Sequence, residues 1–180
     1  MNLNKIALAT VMAMTLASGA VHAAKDQGQG KITFTGSIID APCSISADSE
    51  DQTVKLGQIS NKALENGGVS TTQPFEIKLV NCDVGTIKTV TTTFTGGAGA
   101  LPGSLGITGS ASGASIMLMS QQTDSKGSSA IELGKPTAAQ AISNGDTTLN
   151  FAAYLQGNGA SATIVPGEFS AVANFALAYQ

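Results

Sequence analysis

Gly167-Glu168-Phe169-Ser170-Ala171-Val172-Ala173-Asn174-Phe175-Ala176-Leu177-Ala178-Tyr179-Gln180 is the stretch that decides the fold. From Phe169 onward every odd position is apolar, while the even positions mix Ser170, Asn174 and Gln180 with Val172, Ala176 and Ala178. Successive side chains of an extended chain point to opposite faces, so a period of two marks a strand with one buried face. A strand without a hydrogen-bonded neighbour on each side leaves an edge, and the sequence stops at Gln180. A second alternating stretch, Gln27-Gly28-Gln29-Gly30-Lys31-Ile32-Thr33-Phe34-Thr35-Gly36-Ser37-Ile38-Ile39, stands near the other end, with Ile32, Phe34, Gly36 and Ile38 in phase. Such a strand, led by glycines, can pair within its own molecule or reach into another, and the pattern permits both.

Between the two ends the same period recurs. Phe75, Ile77 and Leu79 alternate with Glu76 and Lys78, and Leu149, Phe151, Ala153 and Leu155 are in phase. Thr53–Ile59 alternates with Val54 and Leu56 on one side, and Ile87–Phe94 is rich in the β-branched residues that suit a pleated surface. Ala114–Ser120 reads as a buried strand in which Met117 and Met119 fill core. Glycine recurs from Gly96 to Gly113 and predicts a long, mobile, exposed loop. No lysine–serine pair or opening helix follows those glycines, so they do not read as a phosphate cradle. The best helical candidate, Asn61–Asn66, is about one turn before Gly67-Gly68 stops it. Seven or so short strands in about 150 residues predict an all-β, immunoglobulin-like β-sandwich.

The first residues set the compartment. Lys5, the apolar run Ile6–Ala20 and the small-residue end Val21-His22-Ala23 predict a cleaved secretory signal over residues 1–23. Removing it takes away His22, the single histidine, and leaves eight lysines against twelve acids with no arginine and no tryptophan. Imidazole catalysis, imidazole metal ligation and bidentate guanidinium recognition are excluded together. A net negative surface also disfavours nucleic acid and anionic lipid. The cysteines are two, Cys43 and Cys82, and an oxidising compartment with an even count predicts a disulfide rather than a metal site.

Several stretches together carry a resemblance. They are Gln27–Lys31, Phe34-Thr35-Gly36, Asp40-Ala41-Pro42-Cys43-Ser44-Ile45-Ser46, Leu79-Val80-Asn81-Cys82 and Glu168–Phe175 with Tyr179-Gln180. In these the chain resembles the fimbrial (pilin) subunits of the bacterial chaperone-usher class, most of all the rod-forming subunits of P pili. The family motif of a glycine fourteenth from the end with a penultimate tyrosine falls on Gly167 and Tyr179. The resemblance is weak across roughly residues 95–145, where family members differ in loops.

The resemblance implies a sandwich lacking its seventh strand, filled first by a strand of a periplasmic chaperone. At the outer-membrane usher the N-terminal extension of the next subunit then replaces that strand. Carried onto this chain, residues 24–39 are the donor extension, with Ile32, Phe34 and Ile38 as knobs and Gly36 at a shallow point. Residues 40–180 are the pilin domain. The acceptor and chaperone-binding strand is Gly167, Phe169, Ala171, Ala173, Phe175, Leu177 and Tyr179, with Gln180 as the point where the chaperone holds the terminal carboxylate. The implied product is a head-to-tail fibre of identical or related subunits at the cell surface. No cofactor, metal or nucleic acid takes part.

Other function classes fit less well. The carboxylates are scattered through turns and solvent faces with no nucleophile motif, so the reading is not an enzyme. Six phenylalanines and two tyrosines sit mainly in strand phase, where core is their role rather than stacking on sugars. The alternatives kept are a minor adaptor subunit with the same two ends, and a self-contained secreted carbohydrate-binding sandwich.

Overall fold

The computed structural model describes residues 29–121 and 128–180. The expected signal peptide and residues 24–28 of the expected extension lie outside the described residues. The chain divides into two units, Met1–Ile38 and Ile39–Gln180. In the first, residues 29–38 carry no regular secondary structure and are exposed throughout.

The second unit holds eleven strands among its described residues. In chain order they are β1 (Ser44–Ile45), β2 (Gln73–Cys82), β3 (Thr89–Gly96), β4 (Leu105–Gly106), β5 (Thr108–Gly109), β6 (Ala114–Gln121), β7 (Ser128–Ile131), β8 (Gln140–Ala141), β9 (Gly145–Gly157), β10 (Phe169–Ser170) and β11 (Ala173–Tyr179). One sheet runs β1-β2-β9-β6-β4 with β7 also on β6, a second runs β11-β3-β8, and β10 pairs with β5 alone. All pairs are antiparallel. Short helices α1 (Ala47–Glu50) and α2 (Asn61–Leu64) interrupt the chain between β1 and β2.

The core follows from the alternation. Ile77 and Leu79 on β2 and Leu149, Phe151, Ala153 and Leu155 on β9 point inward and are buried. The register sets Ile77 opposite Leu149 and Phe75 opposite Phe151. From the second sheet, Phe94 on β3 meets Phe151 edge-on at 5.1 Å and Phe75 at 6.2 Å, which joins the two sheets into a sandwich. At the end of β2 the ladder slips between Leu79 and Cys82. Asn81 adopts φ 54° there and donates its N–H to Asp146 Oδ1 at 3.2 Å. Cys43 and Cys82, both buried, form the expected disulfide.

Three expectations need correction. The glycine-rich run 96–113 is folded rather than a free loop: it contains β4 and β5, buries Leu105 and Ser104, and is tied by Gly99 N to Ser104 O at 2.9 Å. Small residues here permit close packing. A Cβ on Gly96 would meet Leu105 Cδ1 and stand 2.7 Å from Val172 O. Met117 and Met119 are half-buried and lie opposite the core face of β6, which is formed by Ile116 and Leu118, because one residue of phase puts them on the other side. Finally, Thr53–Ile59 keeps its alternation, with Val54 and Leu56 half-buried between exposed neighbours, yet makes no ladder.

Candidate strand-accepting groove

That unladdered stretch forms one wall of a large concavity. The other wall is the chain from Pro166 to Phe175, and the floor is the sandwich core, including Phe75, Ile77, Phe94, Leu118, Ala153 and Leu155. The space between is ≈ 1350 Å³. Both walls are held from outside. At one end Gln52 Nε2 donates to Glu76 O at 3.1 Å, and Ser49 Oγ accepts from Lys78 N at 3.0 Å. At the other end α2 packs so closely on β9 that a Cβ on Gly157 would strike Leu64 O. On the far wall β11 pairs with β3 in full register, Phe175 opposite Phe94 and Tyr179 opposite Val90, and with no other described strand.

The expected acceptor residues divide. Phe169, Ala171 and Phe175 line the groove and, with Leu177 and Tyr179, pack half-buried against the core; Ala173 lines it but is exposed. Leu177, Tyr179 and Gln180 lie beyond the cavity. The strand expected to run unbroken from Phe169 changes partner: Phe169 pairs with Gly109 on β5, Ala171 and Val172 are outside any ladder, and β11 resumes on β3. Gly167 lines the groove where the 108–111 segment crosses. A Cβ there would lie 2.5 Å from Ser110 Oγ and 2.7 Å from Ala111 N. The crossing is closed by Ser110 N and Ala111 N donating to Glu168 O at 3.0 and 3.1 Å. Only a residue without a Cβ fits so close an approach.

At the lower end, Gln180 is zipped to β3 by its main chain: its carbonyl accepts from Lys88 N at 2.8 Å and Thr89 N at 3.0 Å. The Tyr179 hydroxyl is buried without a hydrogen-bond partner among the described residues, and this burial raises its pKa above the usual phenol value. Of the expected donor residues, Ile32, Phe34 and Ile38 are 78%, 89% and 105% exposed, and Gly36 has open space around it. What sequence reading missed is the near wall. Val54 and Leu56 carry the alternating signal of a strand, which does not by itself say that the strand lacks a ladder partner.

Among the described residues no group of three His, Cys, Asp or Glu side chains could hold a metal, and no helix is long and apolar enough to cross a membrane. The chemistry left to the groove is that of apolar side chains and open main-chain edges. Fold and groove together define a class of protein: an immunoglobulin-like sandwich with one strand position unfilled.

Comparison with known proteins gives that class its family. Residues 32–180 match the family described as "Fimbrial protein". The chain is 61% identical over 181 residues to the Fimbria A protein of Serratia marcescens, covering all of both chains. It is 52% identical over 182 residues to the Major MR/P fimbria protein of Proteus mirabilis, again covering all of both. The crystal structure of the P pilus rod subunit PapA superposes with a TM-score of 0.66 at 33% identity, covering 78% of this chain and 100% of that one. The chain belongs to the fimbrial protein family, as a chaperone-usher pilin of the major, shaft-building kind. Members of this family are structural, extracellular components of pili.

Proposed function

We propose that the chain polymerises by strand donation: residues 24–39 of one copy fill the groove of the next, after export directed by residues 1–23. One observation carries this reading. Ile32, Phe34 and Ile38 recur at the strand period and stand in solvent, while an apolar groove on residues 40–180 offers Phe169, Ala171, Ala173 and Phe175 at the same period. Each set spans seven residues, six steps or about 20 Å of strand. A seventh strand of an immunoglobulin-like sandwich runs antiparallel to the sixth. Ile38 then stands at the level of Phe169, Gly36 at Ala171, Phe34 at Ala173 and Ile32 at Phe175, so the largest knob faces one of the smallest wall residues.

Burying the three large side chains contributes roughly 5–9 kcal/mol before ladder bonds and ordering costs. Main-chain bonds to both walls supply affinity, and the side-chain period supplies register. Because donor and groove are different surfaces of one chain, repetition gives an open filament. Before assembly the groove needs a temporary occupant, the role of a periplasmic chaperone that also engages Tyr179 and Gln180, with exchange at an outer-membrane usher. The part is structural, without catalysis or cofactor.

The test removes residues 24–39 from the exported chain and returns them as a peptide. Truncation is expected to leave an unstable, aggregating domain that the peptide converts to a heat-resistant monomer on size exclusion. A truncated domain that is stable and ignores the peptide refutes the reading.

A further inference from the structure

The groove floor is apolar while its walls carry Glu50, Asp51, Lys55 and Glu168, and from residue 27 to 39 the donor carries a single charge, Lys31, the opposite charges Lys25 and Asp26 lying further toward its start. Glu50 and Asp51 line the groove where Gln52 is bonded to Glu76 O. The level of these two acids along the groove follows from registers on both sheets. Phe75 sits under Phe94, and Phe94 is opposite Phe175, so the Glu76 level corresponds to residues just past Phe175 on β11. Counting the antiparallel register proposed above from Ile32 at Phe175, Lys31 arrives one residue past Phe175, beside Glu50 and Asp51. Neither acid has an ion-pair partner among the described residues, whose ion pairs are Lys62–Glu65, Lys78–Glu76 and Lys135–Glu132.

Resting on the strand-donation reading, we propose that Lys31 of each copy is an orienting and steering cation, received by Glu50 and Asp51 of the copy it enters. The other charges on the walls are Lys55, midway, and Glu168, at the opposite end. In the antiparallel direction Lys55 faces the uncharged Thr35-Gly36-Ser37, and Asp40 comes up near Glu168, an end that contributes no attraction. Reversing the donor moves Lys31 to the lone Glu168 and sets Asp40 against both Glu50 and Asp51. Two acids against one, with the repulsion moved onto the pair, favours one direction of entry. The pair lies at the rim, so its effect belongs to encounter and orientation rather than to final affinity. Single-charge complementarity also discriminates against donor strands with an acid at this position.

The experiment uses the full exported chain and follows assembly from refolded subunits by light scattering, scored as heat-resistant multimers. At low ionic strength Lys31→Glu is expected to slow assembly about 10-fold. In about 1 M salt, where the Debye length falls to about 3 Å, the gap closes. Adding Glu50→Lys and Asp51→Lys to the Lys31→Glu chain restores the rate at low salt. Phe34→Asp, a donor knob, blocks assembly at both salts. Assembly of Lys31→Glu at the original rate in low salt overturns the proposal, as does equal slowing at both salts, which assigns Lys31 to packing. Failure of the charge swap to restore the rate in a chain of unchanged circular dichroism also overturns it. Assembly of Phe34→Asp at the original rate overturns strand donation itself, and so separates that failure from this one.

Discussion

Phe151 and Phe175 are the same residue type, each in phase on an alternating strand and each packed against the ring of Phe94, at 5.1 and 6.4 Å. Phe151 is fully buried; Phe175 is only partly buried. The difference lies in their neighbours. β9 has β2 on one side and β6 on the other, whereas β11 has β3 alone. Amphipathic alternation therefore states which face of a strand turns inward, and strand neighbours state how far that face is closed. In this molecule the closed half of the sandwich supplies stability and the open half holds the groove proposed above as the assembly site, both written in the same two-residue period.

The sharpest way to break this comparison is to truncate both rings. Phe151→Ala is expected to cost about 3–5 kcal/mol, the range for removing a fully buried aromatic side chain. Phe175→Ala is expected to cost less than half as much in a subunit whose groove is unfilled, and more once a donor peptide of residues 24–39 is bound. Urea denaturation of both variants, with and without peptide, measures this. Equal penalties without peptide refute an open edge.

Next in size is the disulfide. Cys43 and Cys82 join the start of β1 to the end of β2 on the closed half. Their separation of 39 residues corresponds to about 4 kcal/mol in the chain-entropy model. The Cys43→Ser, Cys82→Ser double variant is expected to lose roughly 2–4 kcal/mol by urea denaturation. Peptide uptake by the fraction still folded should be unchanged, since neither cysteine lines the groove. A larger effect on uptake than on stability places the disulfide with the open half.

A smaller effect is expected at the crossing where Gly167 passes Ser110 and Ala111. Gly167→Ala introduces a methyl 2.7 Å from Ala111 N. Moving the 108–111 crossing aside is expected to cost about 1–3 kcal/mol and to weaken peptide uptake at the Phe169 end. A variant as stable as the parent, by thermal melting, means the crossing is loose and the wall not fixed by it.

How much of this was legible from the sequence follows the same division. On β2 and β9, where both neighbours exist, alternation named the buried residues Ile77, Leu79, Leu149 and Phe151. The proposed donor and acceptor stretches stood out because each alternates too, and their roles came from the family resemblance rather than from the period. Three features were illegible for identifiable reasons. Val54 and Leu56 alternate like any paired strand, and a missing neighbour leaves no mark on the residues that lack it. The break at Ala171-Val172 is a change of partner, from β5 to β3, and both small apolar residues fit either ladder. The run 96–113 looked like loop because glycine signals flexibility and close approach equally. Here, at Gly96, the approach of Leu105 and Val172 decides which.

The smallest expected effect concerns the last aromatic of the open strand. The Tyr179 hydroxyl is buried with no partner among the described residues, and that desolvation raises its pKa above 10.0. A raised pKa means that the folded state holds the proton longer than the unfolded chain. The stabilisation is complete below the unfolded value and is lost as pH climbs from about 10 through the folded one. Lys78 shifts upward as well, chiefly through its hydrogen bond to Glu76 and then its charge, and so loses stabilisation in the same direction. Only the difference between parent and Tyr179→Phe isolates the tyrosine. At neutral pH the variant is expected to be as stable as the parent or up to about 1 kcal/mol more stable, since an unpaired buried hydroxyl is removed. Above pH 10 the parent should fall away faster, and urea denaturation from pH 8 to 11 reads this directly. Curves that stay parallel through that range mean that Tyr179 reaches water on the open edge, which would extend the open half of the sandwich beyond Phe175 to the end of β11.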